Sequence, residues 1–394
     1  MKLFATCDRG LEPVLAEELT ALGLSGVRAA SRGVEFDAGQ SALWTANVCA
    51  RIASRVLEPL AEGPAPDRRA LYDLVASLPW TWYVDRGQTI AVDAVVAGSA
   101  VDNSVFVAQV VKDAVCDRLR ADTGERPSVD RDRPDVPIHV RLVGDYALVA
   151  LDTSGERLHL RGWRTEAGDA PLRETLAAAL LRLTQYDGTQ PLLDPFCGSG
   201  TFLVEAAQIA RGVHPGRARL APSGVGFAFT RARSHDPSAF ARWLAALDDE
   251  TRARASSPLS SILGGDSDAR VLDRARRNAT RAGVADDVRV VRRDALDAEP
   301  VGAGTLVVTN PPYGDRMGEV ETLGGLYAAF GDTLKRRFAG STAWLLVGHR
   351  DHLARLRLNP QRRYEVYNGP IECRFVRIDL YDGSLRPEAR RGPG

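Results

Sequence analysis

The chain has 394 residues, more than one hydrophobic core usually holds, and its 44% apolar and 26% charged residues exclude wholesale disorder, so two or three globular domains are expected. The 51 basic and 51 acidic side chains cancel, and a zero net charge by itself argues against a nucleic-acid partner. The sequence has no apolar run long enough to cross a membrane, no secretory signal at its start, and five scattered cysteines without a CxxC pair, so we expect a cytoplasmic protein with neither a membrane nor a metal partner.

Residues 1–58 are predicted to form a small α/β unit. A short strand at 3–7 precedes a helix whose apolar side chains recur at helical spacing until Gly23. Two strand-like pieces and an alanine-rich helix at 41–50 follow. Residues 59–67 are rich in proline and glycine, which is typical of a linker.

Residues 68–155 form a second predicted unit that combines helices and strands. The polar stretch 122–137 is expected to be a loop, and a turn at Gly144-Asp145 is predicted to join the last two strands into a hairpin. The predicted elements in chain order are helix 71–78, strand 89–96, helix 103–120, strand 138–142 and strand 146–152.

From residue 156 onward, strands alternate with helices, which is typical of a doubly wound parallel sheet. The predicted strands lie at 191–194, 259–264, 288–292, 305–309, 343–347, 364–368 and 374–381. A short basic tail follows. The predicted domains are therefore 1–58, 59–155 and 156–383, with the tail at 384–394.

A glycine-rich turn after the first of these strands carries the first chemical signal. The strand ends at Asp194, and a turn that contains Gly198 and Gly200 opens the next helix. Such a turn lets a ligand approach the backbone at the carboxyl end of a strand. Leu203 stands where a dinucleotide fingerprint would have its third glycine, and the acidic residue suits an amine-bearing cation such as S-adenosylmethionine. A purely structural strand-to-helix turn is the alternative.

Two further acidic residues follow the next two strands. Asp266 can accept the hydroxyl groups of a ribose, whereas Asp268 is more typical of a helix N-cap. Asp294 follows the strand at 288–292 and can accept an adenine amino group, although aspartate is also common at the start of turns. Its place as the third in a row of strand ends favours the ligand-binding interpretation.

The sharpest motif is Asn310-Pro311-Pro312-Tyr313, which follows a buried strand. Two prolines fix the backbone, remove two donors and leave carbonyl groups free to accept hydrogen bonds. An amide oxygen and a proline carbonyl can hold both hydrogens of an exocyclic amine, and the Tyr313 ring can stack on a flipped base. Such a site needs positioning rather than a strong general base.

In this order, the four motifs resemble those of class I S-adenosylmethionine-dependent methyltransferases that act on an amine attached to a planar ring. Further segments make nearly the whole chain similar to the bacterial 23S ribosomal RNA guanine-N(2) methyltransferases, a family that carries a THUMP domain. These segments are 3–6, 9–12, 126–130, 160–164, 170–180, 265–270 and 368–373.

The resemblance implies an α/β protein with an N-terminal ferredoxin-like domain, a THUMP domain and a Rossmann-like, doubly wound methyltransferase domain. It implies methyl transfer to the 2-amino group of a guanosine in RNA, with Asn310, Pro311, Pro312 and Tyr313 holding the base. The residues implied for S-adenosylmethionine are Asp194, Phe196, Gly198, Ser199, Gly200, Thr201, Asp266, Ser267, Asp294, Ala295 and Asn310. The residues expected to contact RNA are Arg161, Arg164, Arg217, Arg219 and Arg316.

Several alternatives stay open at this point. THUMP-bearing relatives also methylate guanine in tRNA, whereas 23S rRNA is the substrate that this resemblance favours. Methylation of adenine-N(6) or of glutamine uses the same NPPY sequence, but the N-terminal half argues against both. A protein that only binds RNA would be expected to have lost Asp194, the glycine pair or Asn310, and all are intact. Some relatives carry a second methyltransferase domain after the first. Because the sequence ends soon after Tyr381, this chain is expected to make one modification only.

The zero net charge hides an asymmetry. Residues 1–155 hold 16 basic and 22 acidic side chains, so the remainder carries the balancing positive excess. The N-terminal half must therefore bind RNA through a local basic patch or by shape. The segment 212–257, which separates the first two motifs, contains arginines together with Phe227, Phe229 and Trp243, and is expected either to grip RNA or to form a helical lid.

Overall fold

The computed structural model of the protein describes residues 2–99, 101–164, 172–221, 224–255, 258–313 and 317–381. The chain forms two compact units. The first contains Met1–Arg164, Glu174–Ala179 and Gly212–Ser256, and the second contains Thr165–Arg173, Leu180–Arg211 and Ser257–Gly394. Neither unit is therefore a single continuous stretch of sequence.

Helices and strands alternate along the chain. Up to residue 152 they are β1 (Lys2–Thr6), α1 (Glu12–Ala21), β2 (Arg28–Ala30), β3 (Gly33–Asp37), α2 (Gln40–Val48), β4 (Arg55–Pro64), α3 (Arg68–Ala76), β5 (Thr89–Ala97), α4 (Ser104–Thr123), β6 (Ser128–Val129), β7 (Val136–Val143) and β8 (Tyr146–Asp152). After it they are α5 (Glu174–Leu183), β9 (Leu192–Asp194), α6 (Thr201–Ala210), α7 (Pro237–Ala255), β10 (Ile262–Asp266), α8 (Ala269–Arg281), β11 (Val288–Arg292), β12 (Leu306–Thr309), α9 (Met317–Arg337), β13 (Thr342–Val347), α10 (Arg350–Arg355), β14 (Arg362–Asn368) and β15 (Ile371–Asp379). None of the helices in the described part of the chain is both long and apolar enough to cross a membrane.

An eight-stranded sheet in the order β2-β3-β1-β4-β8-β7-β5-β6 forms the framework of the first unit. Strand β4 pairs with β1 near its start and with β8 along its length, so one strand joins both parts of the sheet. The predicted linker at 59–67 is therefore wrong over residues 59–64, which lie in this strand. The strand tolerates its prolines because the pairing is interrupted between Pro59 and Ala61, and because Pro64 is its last residue.

The hairpin predicted near the end of this unit is confirmed. Strands β7 and β8 pair in antiparallel register around Gly144, whose φ of +57° is a conformation that favours glycine. Helices α3 and α4 pack against each other, and the core of this region buries Trp80 completely. The Trp80 indole N–H donates to the Val75 carbonyl at 2.8 Å, so its one polar atom is satisfied.

A seven-stranded sheet in the order β11-β10-β9-β12-β13-β15-β14 forms the second unit. The first five strands in that order are parallel, and β15 and β14 add an antiparallel edge. The predicted doubly wound sheet is thus confirmed, with all seven strands near their predicted positions. Helix α9 buries Phe330 and Leu334 in the core of this unit. The carboxyl ends of β11, β10, β9 and β12 lie side by side, which brings the residues that follow them to one edge.

The segment 212–256 is part of the first unit, although it was predicted to lie in the methyltransferase domain. It packs through aromatic rings: Trp44 of α2 contacts Phe240 and Trp243 of α7, at 5.3 and 5.8 Å between ring centroids. Phe227 and Phe229 are buried and stack on each other, so they are core residues rather than platforms for RNA bases. The domain bounds drawn from the sequence stay a prediction.

Candidate functional site

The four strand ends of the second unit carry the four predicted motifs. Asp194 ends β9, Asp266 ends β10, Asp294 follows β11 and Asn310 follows β12. Register pairs Gly264 of β10 with Asp194, so the tips of the two strands are adjacent. The structure therefore brings together, at one edge of a single sheet, acidic and amide groups that are far apart in the sequence.

Asp194 has a buried carboxyl group that accepts two hydrogen bonds. Its Oδ1 atom accepts the Thr309 hydroxyl at 2.6 Å and the backbone N–H of Phe196 at 3.1 Å. Burial raises the pKa of Asp194 to about 7, the nearby charge of Asp266 adds to that increase, and the two hydrogen bonds oppose it. At neutral pH the group is therefore poised between its neutral and ionised forms, and a cation beside it would favour the ionised form.

The glycine-rich turn after Asp194 is held in place from two sides. Gly198 and Gly200 adopt φ values of +52° and +83°, and a Cβ atom on Gly200 would lie 3.1 Å from Cβ of Ala275 in helix α8. The Asn278 amide donates to the Ser199 carbonyl at 3.0 Å, which ties the turn to the same helix. Both glycines are thus required by backbone conformation, and helix α6 begins directly after them at Thr201.

The carboxylate of Asp266 organises the tip of β10. Its Oδ2 accepts the Gly198 N–H at 3.1 Å, and its Oδ1 accepts the Asp268 N–H at 3.0 Å. Asp268 is the N-cap of α8 and accepts the Arg270 N–H at 2.9 Å, which confirms the capping role. Neighbouring Ser267 uses its carbonyl to accept the Arg292 guanidinium. Asp266 can still serve a ligand because each carboxylate oxygen has two lone pairs.

Asp294 and Ala295 lie at the next strand end. The Asp294 carboxylate accepts the Leu296 N–H at 2.9 Å and caps a single 3-10 turn that begins at the buried Ala295. A small hollow adjoins this turn, and its lining includes Asp294, Arg293, Val291, Gly265, Leu263, Leu193, Pro195 and Ala298. An apolar hollow with a carboxylate at its rim suits the edge of a planar ring.

The motif 310–313 follows β12, and the ring of its tyrosine packs against the backbone of Gly348. A Cβ atom on Gly348 would lie 2.8 Å from Cγ of Tyr313, so only glycine leaves room for the ring in this place. The Tyr313 hydroxyl donates to Oδ1 of Asn310, and the Tyr327 hydroxyl donates to the Pro312 carbonyl at 3.2 Å. Burial raises the pKa of the Tyr313 hydroxyl, so it stays a protonated donor.

The sequence motifs did not identify four residues that contact this site. Thr309, Asn278, Tyr327 and Gly348 touch the predicted residues but belong to no motif of their own. Gly348 offers the one usable signal, because it directly follows strand β13 and so continues the row of strand ends. Among the described residues, no group of three or more histidine, cysteine, aspartate or glutamate side chains is arranged to hold a metal ion.

The arginines expected to contact RNA divide into different classes. Arg161 and Arg219 are 2% and 1% exposed, and both donate to backbone carbonyls, including those of Leu158 for Arg161 and Ser154 for Arg219. Both are therefore corrected to structural residues, because a guanidinium enclosed by the protein cannot reach phosphate. Arg219 also lies 4.7 Å above the Phe227 ring.

The other three expected arginines are not equivalent. Arg164 is paired with Glu174 at 3.4 Å with little exposed surface, whereas Arg217 pairs with Asp248 at 2.7 Å and keeps about a third of its side chain exposed. Arg316 lies outside the described residues. Of the set, Arg217 is the one that the structure describes with a substantially exposed side chain.

The first unit contains a cleft of about 750 Å³ that the sequence did not identify. Its basic lining residues are Arg55, Lys112, Arg131, Arg133, Arg157 and Arg231. Its acidic lining residues are Asp93, Asp132, Asp152 and Glu156. Basic groups are thus in excess in the lining of this cleft, and Arg131, Arg133 and Arg157 are exposed at this surface.

Comparisons with known families match three consecutive parts of the chain. Residues 2–57 match the RlmL ferredoxin-like domain, residues 66–152 match the THUMP domain, and residues 161–377 match the RMKL-like methyltransferase domain. The expected ferredoxin-like, THUMP and methyltransferase domains are therefore all confirmed.

Two curated relatives show how far the similarity extends. The ribosomal RNA large subunit methyltransferase K/L of Methylococcus capsulatus is 40% identical over 96% of this chain and 51% of its own length. The protein of that name from Syntrophotalea carbinolica is 37% identical over 100% of this chain and 56% of its own length. The chain spans about half the length of the curated relatives it matches.

Solved structures share the fold along nearly the whole chain. SMU.472 complexed with SAH has a TM-score of 0.85 at 27% identity and covers 97% of this chain and 99% of its own. A Listeria monocytogenes protein described as a predicted N6-adenine-specific DNA methylase has a TM-score of 0.82 at 27% identity, with 96% of each chain covered. TrmN from Thermus thermophilus has a TM-score of 0.67 at 25% identity and covers 96% of this chain and 99% of its own.

Proposed function

The chain belongs to the RMKL-like methyltransferase family, and from that membership we propose that it transfers a methyl group from S-adenosylmethionine to the 2-amino group of a guanosine in 23S ribosomal RNA. The observation that carries the proposal is the row of strand ends, in which Asp194, Asp266, Asp294 and Asn310 meet at one edge of the sheet. Relatives named as ribosomal RNA large subunit methyltransferases support RNA as the substrate.

The donor groups at this edge fit S-adenosylmethionine. Its methionine part carries an ammonium group, which the buried carboxyl of Asp194 can bind in its ionised form, and the Gly198–Gly200 turn leaves the backbone open beside Phe196, Ser199 and Thr201. Asp266 and Ser267 would bind the ribose, and Asp294, which lines the small hollow, would bind the adenine together with the adjacent Ala295. When bound, the cofactor supplies an electrophilic methyl group.

The motif 310–313 would hold the acceptor base. The Asn310 amide oxygen and a proline carbonyl accept the two hydrogens of the guanine amine and so aim its nitrogen lone pair. Asn310 Oδ1 already accepts the Tyr313 hydroxyl, and its second lone pair remains for the amine. The Tyr313 ring supplies a face for stacking, and alignment of the reacting atoms rather than proton abstraction provides most of the acceleration.

The first unit would bind other parts of the RNA. The cleft that contains Arg131, Arg133 and Arg157 offers several cations within reach of one another, which suits the closely spaced phosphates of RNA. Ribosomal RNA as the substrate also places the protein in the cytoplasm. Arg217 can contribute a further contact because its side chain is partly exposed.

One experiment tests the chemistry directly. Purified protein is incubated with S-adenosylmethionine and 23S rRNA, and the methylated nucleoside is identified by mass spectrometry. We expect N(2)-methylguanosine, and we expect Asn310→Ala to lower kcat at least about 100-fold while the cofactor Kd changes less than about threefold. Asn359→Ala is the matched control, because Asn359 is an exposed asparagine that also precedes a proline. Near-normal turnover of Asn310→Ala would contradict the amine-holding role.

The same assay separates the competing substrates. The Listeria neighbour favours adenine-N(6) as a second candidate acceptor, since its fold matches along nearly the whole chain. N(6)-methyladenosine as the product would replace the guanine proposal, and methylation of tRNA with none of 23S rRNA would replace the ribosomal one.

A further inference from the structure

A single hydroxyl group joins the cofactor end of the site to its substrate end. Thr309 is the last residue of β12, is fully buried, and donates from Oγ1 to Oδ1 of Asp194 at 2.6 Å. The next residue in the chain is Asn310. Strands β9 and β12 are parallel neighbours, and their regular register pairs Val307 with Leu193, so the hydrogen bond crosses between the ends of two adjacent strands.

We propose that Thr309 is a positioning residue that joins the cofactor-binding carboxylate of Asp194 to the strand end that carries Asn310. The proposal rests on the proposed function, because it assigns Asp194 to the cofactor. Both hydrogen bonds that hold Asp194 go to Oδ1, so its Oδ2 atom is used by neither of them. The side chain is thereby fixed through one oxygen while the other keeps its capacity to accept.

The hydrogen bond also bears on the charge of Asp194. A donor to a carboxylate stabilises the ionised form, and here it opposes burial, which raises the pKa to about 7. The titratable groups that act on Asp194 from its surroundings are Asp266 at the end of β10 and Cys197 in the turn. Burial raises the pKa of the Cys197 thiol and keeps it neutral, so Asp266 is the charge that matters. Loss of the Thr309 hydroxyl should therefore leave Asp194 protonated up to a higher pH.

The test is the pH dependence of cofactor binding in three proteins. Thr309→Val keeps the branched shape but removes the hydroxyl, and Thr309→Ser keeps the hydroxyl as the matched control. The Kd for S-adenosylmethionine is measured by calorimetry from pH 6 to pH 9 on the full chain. We expect the Thr309→Val profile to move up by about one pH unit, so that binding relative to the unaltered protein is about fivefold weaker at pH 7, about tenfold weaker near pH 6, and nearly equal by pH 9. We expect Thr309→Ser to follow the unaltered protein.

Two results would overturn the inference. One is a Thr309→Val profile that superimposes on that of the unaltered protein, and the other is a loss of affinity that is equal at every pH, since that indicates general damage to the site. Thr309→Ala removes the same hydroxyl without retaining the methyl groups, and it gives the same readout if Thr309→Val does not fold. Failure of the unaltered protein to bind S-adenosylmethionine at any pH would instead refute the proposed function.

Discussion

At the scale of single residues, the burial of Asp194 sets the stability of the folded protein against the binding of a cation. Its carboxyl group is 2% exposed and lies near a second carboxylate, so the ionised form is costly until a cation arrives. The folded protein therefore binds this proton more tightly than the unfolded chain, whose aspartate pKa is about 3.9. The stabilisation that the folded protein gains from binding this proton is complete below about pH 3.9 and is lost as the pH rises through about 7.

Asp194→Asn tests this conflict in the absence of cofactor. An asparagine carries no charge at any pH, so the variant should gain stability relative to the unaltered protein as the pH rises from 5 to 8, by about 1–3 kcal/mol. Thermal unfolding at several pH values measures the difference, and cofactor binding by the variant should be lost. The exposed Asp297→Asn serves as the control and should show no such trend. A constant difference between pH 5 and pH 8 would refute the raised pKa of Asp194.

Between elements, aromatic packing joins helices α2 and α7. Trp44 contacts Phe240 and Trp243, and Phe240 in turn contacts the buried Phe229. The segment 212–256 is thus anchored on the first unit by a continuous row of rings. Arg219 and the phenylalanines of this segment are enclosed and cannot contact RNA, whereas Arg217 keeps about a third of its side chain exposed.

Trp44→Ala should loosen this segment. Removal of a buried tryptophan side chain costs about 3–5 kcal/mol, and the aromatic partners of Trp44, Phe240 and Trp243, lie on α7. We expect limited proteolysis of the variant to begin within residues 212–256, much faster than in the unaltered protein. Trp82→Ala is the matched control, because Trp82 is 70% exposed. Equal cleavage in the two variants would show that the rings do not anchor the segment.

The sequence predicted the strand ends well because each rests on local chemistry. An apolar strand, a polar residue at its end and a turn with glycine or proline are all contained within about ten residues, as at Asp194 and Asn310. The errors fall where distant parts of the chain decide. An arginine such as Arg219 is expected to be exposed when only its sequence neighbours are known. In the structure it is buried, because it donates a hydrogen bond to the Ser154 carbonyl, 65 positions away in the chain. Likewise, Pro59 indicated a linker because the local sequence does not show that β4 continues past it. The strand continues through a shift in its pairing with β8 between Pro59 and Ala61.

For the molecule as a whole, net charge is a poor guide to where RNA would bind. The first unit, which includes the acidic residues 1–155, contains a cleft with six basic lining residues against four acidic ones. Phosphate attraction acts over about 8–10 Å at physiological salt, so the local excess matters more than the sum over the chain. The expected basic patch therefore has a specific candidate location on the first unit.

Replacing Arg131, Arg133 and Arg157 by alanine should weaken RNA binding without altering the chemistry. Each lost phosphate contact lowers the slope of log Kd against log salt by about 0.7–0.9, so the triple variant of the full chain should lose about two units of slope. Filter binding to 23S rRNA at several salt concentrations gives the slope. Alanine at the exposed Arg68, Arg69 and Arg120, on helices α3 and α4 outside the cleft lining, is the control. An unchanged slope in the cleft variant would exclude the cleft as the RNA-binding surface.

The two units are interleaved along the chain, and this has a consequence for inheritance. The first unit draws on three separated stretches of sequence, and the last of them, Gly212–Ser256, lies between the glycine-rich turn and the strand that ends at Asp266. Recombination within the gene cannot exchange that unit between relatives as one block. A chimera joined near residue 164 would inherit Trp44 from one parent and its partners Phe240 and Trp243 from the other. Where two parents differ at these rings, a hybrid that mixes them should fold poorly even when both parents are stable.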